Sequence, residues 1–194
     1  MKKYIADGLL IVFSVLFALL INKIYDDYQT TRKKNFALES IRQELSQNLT
    51  ILQTWKERHS AIGNLLSQLN EGKNDSLKQQ FLDYSHFNLG LLTNGESLIN
   101  EIMINTAWET SRTTGIISEF DFETTEKLTY VYLMQEVMMD RTLNNIIDLY
   151  FDMETQKMEN LDQVLIQFEL RFGELIGQEF LLEHLYTEAI KHLK

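Results

Sequence analysis

Four histidines, His59, His86, His184 and His192, are the side chains best suited to metal binding or proton transfer near neutral pH. His184, Glu188 and His192 follow one another at four-residue intervals, which on a helix puts all three on one face. A zinc site needs at least three such ligands, oriented by supporting groups. A solvated C-terminal helix face gives the same spacing without a metal, and no metal is expected. The chain contains no cysteine, which removes thiol nucleophiles, disulfides and thiolate ligands. The sequence holds no HExxH, no Walker glycine loop and no GxSxG. Carboxylates abound, but glutamate-rich helix surfaces supply close pairs without catalysis. No nucleophile stands beside a recognisable base. The expectation is a chain that is not an enzyme and carries no cofactor.

The remaining polar residues of interest are those set in apolar surroundings, and their role depends on the elements that carry them. The 194 residues are 44% hydrophobic and 24% charged, with eight glycines and no proline. Proline and glycine punctuate turns, so a chain poor in both is expected to be all-α, built of long helices. Residues Ile5–Ile24 form an apolar run in which only Ser14 is polar between Leu9 and Ile21. Tyr4 and Tyr25 bracket it ~30 Å apart on a helix, the thickness of a hydrocarbon core, and tyrosines favour both membrane interfaces. No small-x-small cleavage site ends the run, so an uncleaved anchor is expected over a signal peptide. The expected organisation is a membrane anchor over 1–28 continuing into a helical bundle over 29–194. Lys2 and Lys3 precede the span, whereas Lys23, Arg32, Lys33 and Lys34 follow it, which favours a cytoplasmic body. Asp7 either reaches out to headgroups or faces water or a polar partner inside an oligomer. Ser14 can bond back to its own helix, and Asn22 is interfacial. Arg32, Lys33 and Lys34 form a collar suited to lipid headgroups.

Beyond the collar runs a seam: Leu38, Ile41, Leu45, Asn48, Leu52, Trp55, His59, Ile62, Leu66, Leu69. Its steps alternate three and four, as in a helix packed along its length. Such a seam can be buried inside one subunit, between subunits, or both. Asn48 and His59 interrupt it. Polar seam residues fix register or stoichiometry at a cost in stability, while a histidine there also invites a metal or pH-switch reading. The helix is expected to end at Glu71–Asn74. A short helix capped by Asp75 follows, then an irregular stretch over Phe87–Gly95 and a helix over Leu98–Thr113 stopped by Gly115. Another helix begins near Asp121 and buries Leu128, Val131, Gln135, Met138, Thr142, Ile146, Leu149 and Met153. A break at Asn160 or Asp162 precedes the last helix. There, Gly173 and Gly177 suggest close packing or a kink. Glu119–Glu188 carries sixteen acidic residues against four basic ones, a surface that repels nucleic acid.

Two stretches carry a resemblance. Asp7-Gly8, the apolar run and Ala18-Leu19-Leu20-Ile21-Asn22-Lys23 resemble the anchor of an uncharacterised family common in Bacteroidota, which closes on an "ALQINN"-like sequence. Ala107-Trp108-Glu109 through Gly115, followed by Tyr130 and Tyr132, is similar to that family's "WE…G" segment and the tyrosine-bearing helix after it. A weaker likeness in size and layout is to the membrane accessory proteins of type VI-B CRISPR loci. That likeness implies a homo-oligomeric pore that enhances antiviral defence. A HEPN-type RNase motif, proposed for that group, needs Arg and His four to six residues apart, and no pair here has that spacing. The resemblances imply a single-pass protein of a bacterial inner membrane. Its expected partners are the bilayer, further copies of itself and a protein partner, with no direct nucleic acid binding. The expected function is a homo-oligomeric helical assembly, a pore or membrane-perturbing factor, with a non-conducting tethered scaffold as the alternative.

Overall fold

The computed structural model describes residues 2–193, with side chains from Leu10 onward. Its described residues form helices and no strand. Helix α1 runs unbroken over Lys2–Asn70, ~100 Å at a rise of 1.5 Å per residue. No proline interrupts its hydrogen-bond ladder. It stops where Gly72 takes up φ 67, a left-handed conformation that lets Lys73 N–H donate back to the Gln68 carbonyl.

The two halves of α1 have different surroundings. From Leu10 to Tyr28 every side chain is exposed, the large apolar ones included. From Gln29 the helix becomes progressively covered. Among the described residues no helix is long and apolar enough to cross a membrane. The expected span over Ile5–Ile24 falls only in part among these residues. Its described part, Leu10–Ile24, covers ~22 Å of helix, less than a ~30 Å hydrocarbon core. Lys23, Asp26 and Asp27 load its far end with charge. The side chains of Ile5–Leu9, Asp7 with them, lie outside the described residues.

The seam is buried within one chain. Ile41, Leu45, Leu52, Trp55, Ile62, Leu66 and Leu69 are all inaccessible, each contributing roughly 1.5–3 kcal/mol of apolar burial if aliphatic. Their main partner is α7 (Leu161–His192). The two helices run antiparallel, as the pairs Asn70–Glu169, His59–Glu179 and Gln53–Glu183 show. They come close at Gly63, where a Cβ would lie 2.9 Å from Ile176 Cδ1. Between them in sequence come α2 (Asp75–Leu82), α3 (Gly90–Thr93), α4 (Thr106–Thr113) and a 3-10 turn at Ile116–Glu119. Next come α5 (Phe122–Glu136), a π-helical stretch over Val137–Leu143 and α6 (Asn144–Phe151).

Local chemistry explains the element boundaries. Asp121 caps α5 by accepting the Thr124 N–H at 2.9 Å and the Thr124 hydroxyl at 2.8 Å, which hold its carboxyl below the usual carboxylate range. Gly115, at φ 77, ends α4. The cap of α2 is Asn74, which accepts the Leu77 N–H; Asp75, expected in that role, lies in the first turn instead. Met153 was expected to be buried and stands exposed, because α6 ends at Phe151 and the chain leaves the core. Gly173 and Gly177 neither kink α7 nor pack closely inside the chain: the helix is continuous and a Cβ at either would meet nothing.

The largest departure is between Leu98 and Asn105. A helix was expected from Leu98, but α4 begins only at Thr106. Residues 94–105 form an irregular strap laid against α1. The apolar spacing of Leu98, Ile99, Ile102 and Met103 imitates a helix, yet side chains of α1 satisfy the strap's backbone groups in place of helical bonds.

Candidate functional site

The polar residues of the seam meet the strap one by one. Asn48 clamps Ile104 at two points, accepting its N–H at 3.0 Å and donating to its carbonyl at 2.6 Å. Trp55 Nε1 donates to Asn100 Oδ1 at 3.1 Å. Arg58 donates to the Ser97 carbonyl at 2.6 Å and pairs with Glu96 at 2.9 Å. His59 Nε2 lies 3.1 Å from the Leu98 carbonyl. The interruptions in the heptad pattern are thus anchors for a non-helical segment of the same chain. They need no second subunit to explain them, which changes the expected role of Asn48 and His59 in setting stoichiometry.

Two buried carboxyl groups flank this row. Glu44 lies one turn before Asn48, and its carboxylate accepts the Ala107 N–H at 2.7 Å, the Trp108 N–H at 3.4 Å and the Tyr132 hydroxyl at 2.6 Å. It therefore sits at the N-terminus of α4, where unpaired N–H groups and the helix dipole favour negative charge. Tyr132 in turn stacks on Trp108, centroids 5.2 Å apart. Burial, reinforced by the neighbouring Glu44 carboxylate, pushes the Tyr132 phenol well above its ordinary range. Beside it, Gln135 Oε1 receives the Tyr186 hydroxyl at 2.6 Å and the Asn48 amide at 3.2 Å. Burial likewise raises the Tyr186 phenol. These phenols stay protonated at neutral pH and act as donors, not as bases.

The second carboxyl, Glu179, comes from α7. Its Oε1 lies 2.6 Å from His59 Nδ1, and both side chains are completely buried. The imidazole is enclosed by Trp55 and by the edge of Phe172. Because the Leu98 carbonyl can only accept, Nε2 carries a proton. One further proton then lies between Nδ1 and Oε1, whether the pair is imidazolium–carboxylate or imidazole–carboxylic acid. The pair as a whole is neutral in either form, which is what allows it to be buried. Glu179 Oε2 has no hydrogen-bond partner among the described residues. A sealed pair of this kind has no access to a substrate.

The other residues singled out by the sequence lie apart from this row. Ser14 donates to the Leu10 carbonyl at 2.8 Å within the exposed apolar segment, and Asn22 is exposed. Arg32 and Lys33 are exposed and Lys34 half-buried at the base of the bundle. His184 and Glu188 face outward, while His192 turns to the Thr124 hydroxyl at 2.9 Å and Lys127 Nζ at 3.2 Å. Among the described residues no three His, Asp or Glu side chains converge as a metal site. Glu44, Asn100, Glu179 and Tyr186 were not visible in advance as parts of the row. Only Glu44 had a signal, its four-residue offset from Asn48. Comparison with protein-family models, with curated proteins and with solved structures finds no match for this chain.

Proposed function

We propose that this chain is a single-span membrane protein in which a lipid-embedded N-terminal helix is joined without a break to a helical scaffold. The observation that supports it is the pairing of one continuous helix with two opposite environments. Leu10–Ile24 presents apolar side chains on every side with no protein cover, whereas the same helix is the central rod of the bundle from Ile41 to Leu69. Counting Ile5–Leu9 from the sequence, the apolar run reaches the ~30 Å a bilayer requires. Phe13 and Phe17 stack along the exposed surface. The Ser14 hydroxyl is spent on its own helix, which suits a lipid-facing serine. The resemblance to bacterial inner-membrane families points the same way, with the body in the cytoplasm and Arg32, Lys33 and Lys34 at the headgroups.

A homo-oligomer, up to a pore acting in antiviral defence, is the second reading. The outward face of α7 favours it, where Ile166, Leu170, Phe180 and Leu181 remain exposed around the open surface at Gly173 and Gly177. Asp7 would then ring one mouth of the assembled spans.

Extraction tests the first reading. The full chain is expected to stay with membranes through an alkaline wash and to require detergent. Leu16→Arg with Leu20→Arg is expected to release it, since each arginine costs about 2.5–3.5 kcal/mol at the centre of a span. Recovery of the unaltered chain in the aqueous extract would overturn the proposal. Particle mass in detergent and membrane potential on expression then separate scaffold from pore.

A further inference from the structure

A groove of about 810 Å³ runs between α1 from Thr30 to Gln47 and the wall formed by α4 and the following 3-10 turn. Its size falls in the ~300–1,000 Å³ range of ligand pockets. It begins little more than one helical turn past Tyr25 and extends ~25 Å along α1, away from the apolar segment. Many of its lining residues are polar by name but not in effect. Ser40, Ser111 and Thr114 donate their hydroxyls to the Phe36, Ala107 and Thr110 carbonyls of their own helices at 2.9, 2.8 and 2.7 Å. The Glu44 carboxylate is taken up by α4 and Tyr132. What such a wall offers a ligand is largely methyl and methylene surface, together with Ala37, Ala107, Ile116 and the ring of Phe36, which is 75% exposed.

Two charges on the groove remain unspent. Lys33 and Glu119 both line it, and among the described residues neither forms an ion pair. One cation with one anion complements a headgroup that itself carries both charges better than it complements a bare anion. We propose that this groove binds one acyl chain of an aminophospholipid of the phosphatidylethanolamine class. Lys33 receives the phosphate and Glu119 the ammonium. The assignment rests on the membrane reading above, since only an embedded α1 brings the groove's lower end to the headgroup layer.

The full chain, extracted in maltoside detergent and washed, is assayed for phospholipid retained per chain. It is expected to hold about one phosphatidylethanolamine. Thr110→Trp, which fills the groove from an exposed position, and Lys33→Gln are each expected to lower retention about fivefold or more, equivalent to ~1 kcal/mol. Far-UV circular dichroism should not change. Glu119→Gln is expected to abolish the preference for phosphatidylethanolamine over phosphatidylglycerol. Absence of lipid from the unaltered chain, or equal retention by Thr110→Trp and Lys33→Gln, overturns the assignment, as does finding the groove occupied by a second copy. If the chain proves extractable without detergent, the anchor fails separately. Dihexanoyl phosphatidylethanolamine below its micelle concentration then tests the groove in buffer. Saturable binding weakened by Lys33→Gln supports the site, and no binding overturns it.

Discussion

Glu44 and Glu179 are both buried carboxyls flanking the same row of contacts, and the fold neutralises them in different ways. Glu44 is surrounded by fixed dipoles: two backbone N–H groups at a helix start and a phenol. Among the described residues no cation touches it. Glu179 relies on a single partner, His59, and one of its oxygens has no hydrogen bond among the described residues. The first arrangement is insensitive to protonation of its donors near neutrality. The second depends on where one proton resides. Helix ends can therefore hold a buried charge without a counter-ion, whereas mid-helix positions such as 59 and 179 have no spare backbone donors and need a side-chain partner.

His59→Ala attacks the less protected member. It leaves Glu179 buried without its partner and frees the Leu98 carbonyl, so a loss of about 3–5 kcal/mol is expected in urea unfolding. Replacing both, as His59→Leu with Glu179→Met, should restore most of that stability. A double variant as unstable as the single one would show that the pair does more than neutralise itself.

Glu44→Ala removes one acceptor from three donors, and about 2–3 kcal/mol is expected to be lost. Hydrogen exchange should accelerate specifically at Ala107 and Trp108. Tyr132→Phe keeps the stack on Trp108 and deletes only the hydroxyl, for about 1 kcal/mol. The raised phenols of Tyr132 and Tyr186 give the accompanying pH dependence. Their folded-state values lie above the unfolded value near ~10. Their contribution is therefore fully present below pH ~10 and is lost as pH rises beyond it. Tyr132→Phe should flatten part of that alkaline decline, measured as melting temperature against pH.

Glu179→Gln has the smallest expected effect, within about 1 kcal/mol. The glutamine amide can donate to Nδ1 while Nε2–H still donates to Leu98, so a neutral imidazole fills the site. Imidazole nitrogen shifts read by NMR would distinguish this state. An unaltered spectrum in which both ring nitrogens are protonated would identify the native pair as imidazolium–carboxylate.

The sequence made the helical class and the long seam readable because apolar spacing reports which face is covered. The start of a helix near Asp121 and the stop at Gly115 were readable from residue type. The strap was not. Leu98, Ile99, Ile102 and Met103 have helical spacing, and what unwinds them is Asn48, Trp55 and His59, whose contacts with the strap span 39 to 56 residues of sequence. Glu179 was hidden among the many glutamates of an acidic helix, since nothing in its residue type distinguishes a buried carboxyl from a solvated one. Gly173 and Gly177 misled in the other direction: the spacing suggested close packing that this chain does not make.

The unbroken course of α1 ties height along the rod to angle about it. Inserting a single residue near Tyr28 would lift the bundle by ~1.5 Å and swing it ~100° about the axis of the rod. With no hinge to absorb that twist, the direction in which the groove and the strap face relative to the exposed apolar segment is set by the number of residues between them.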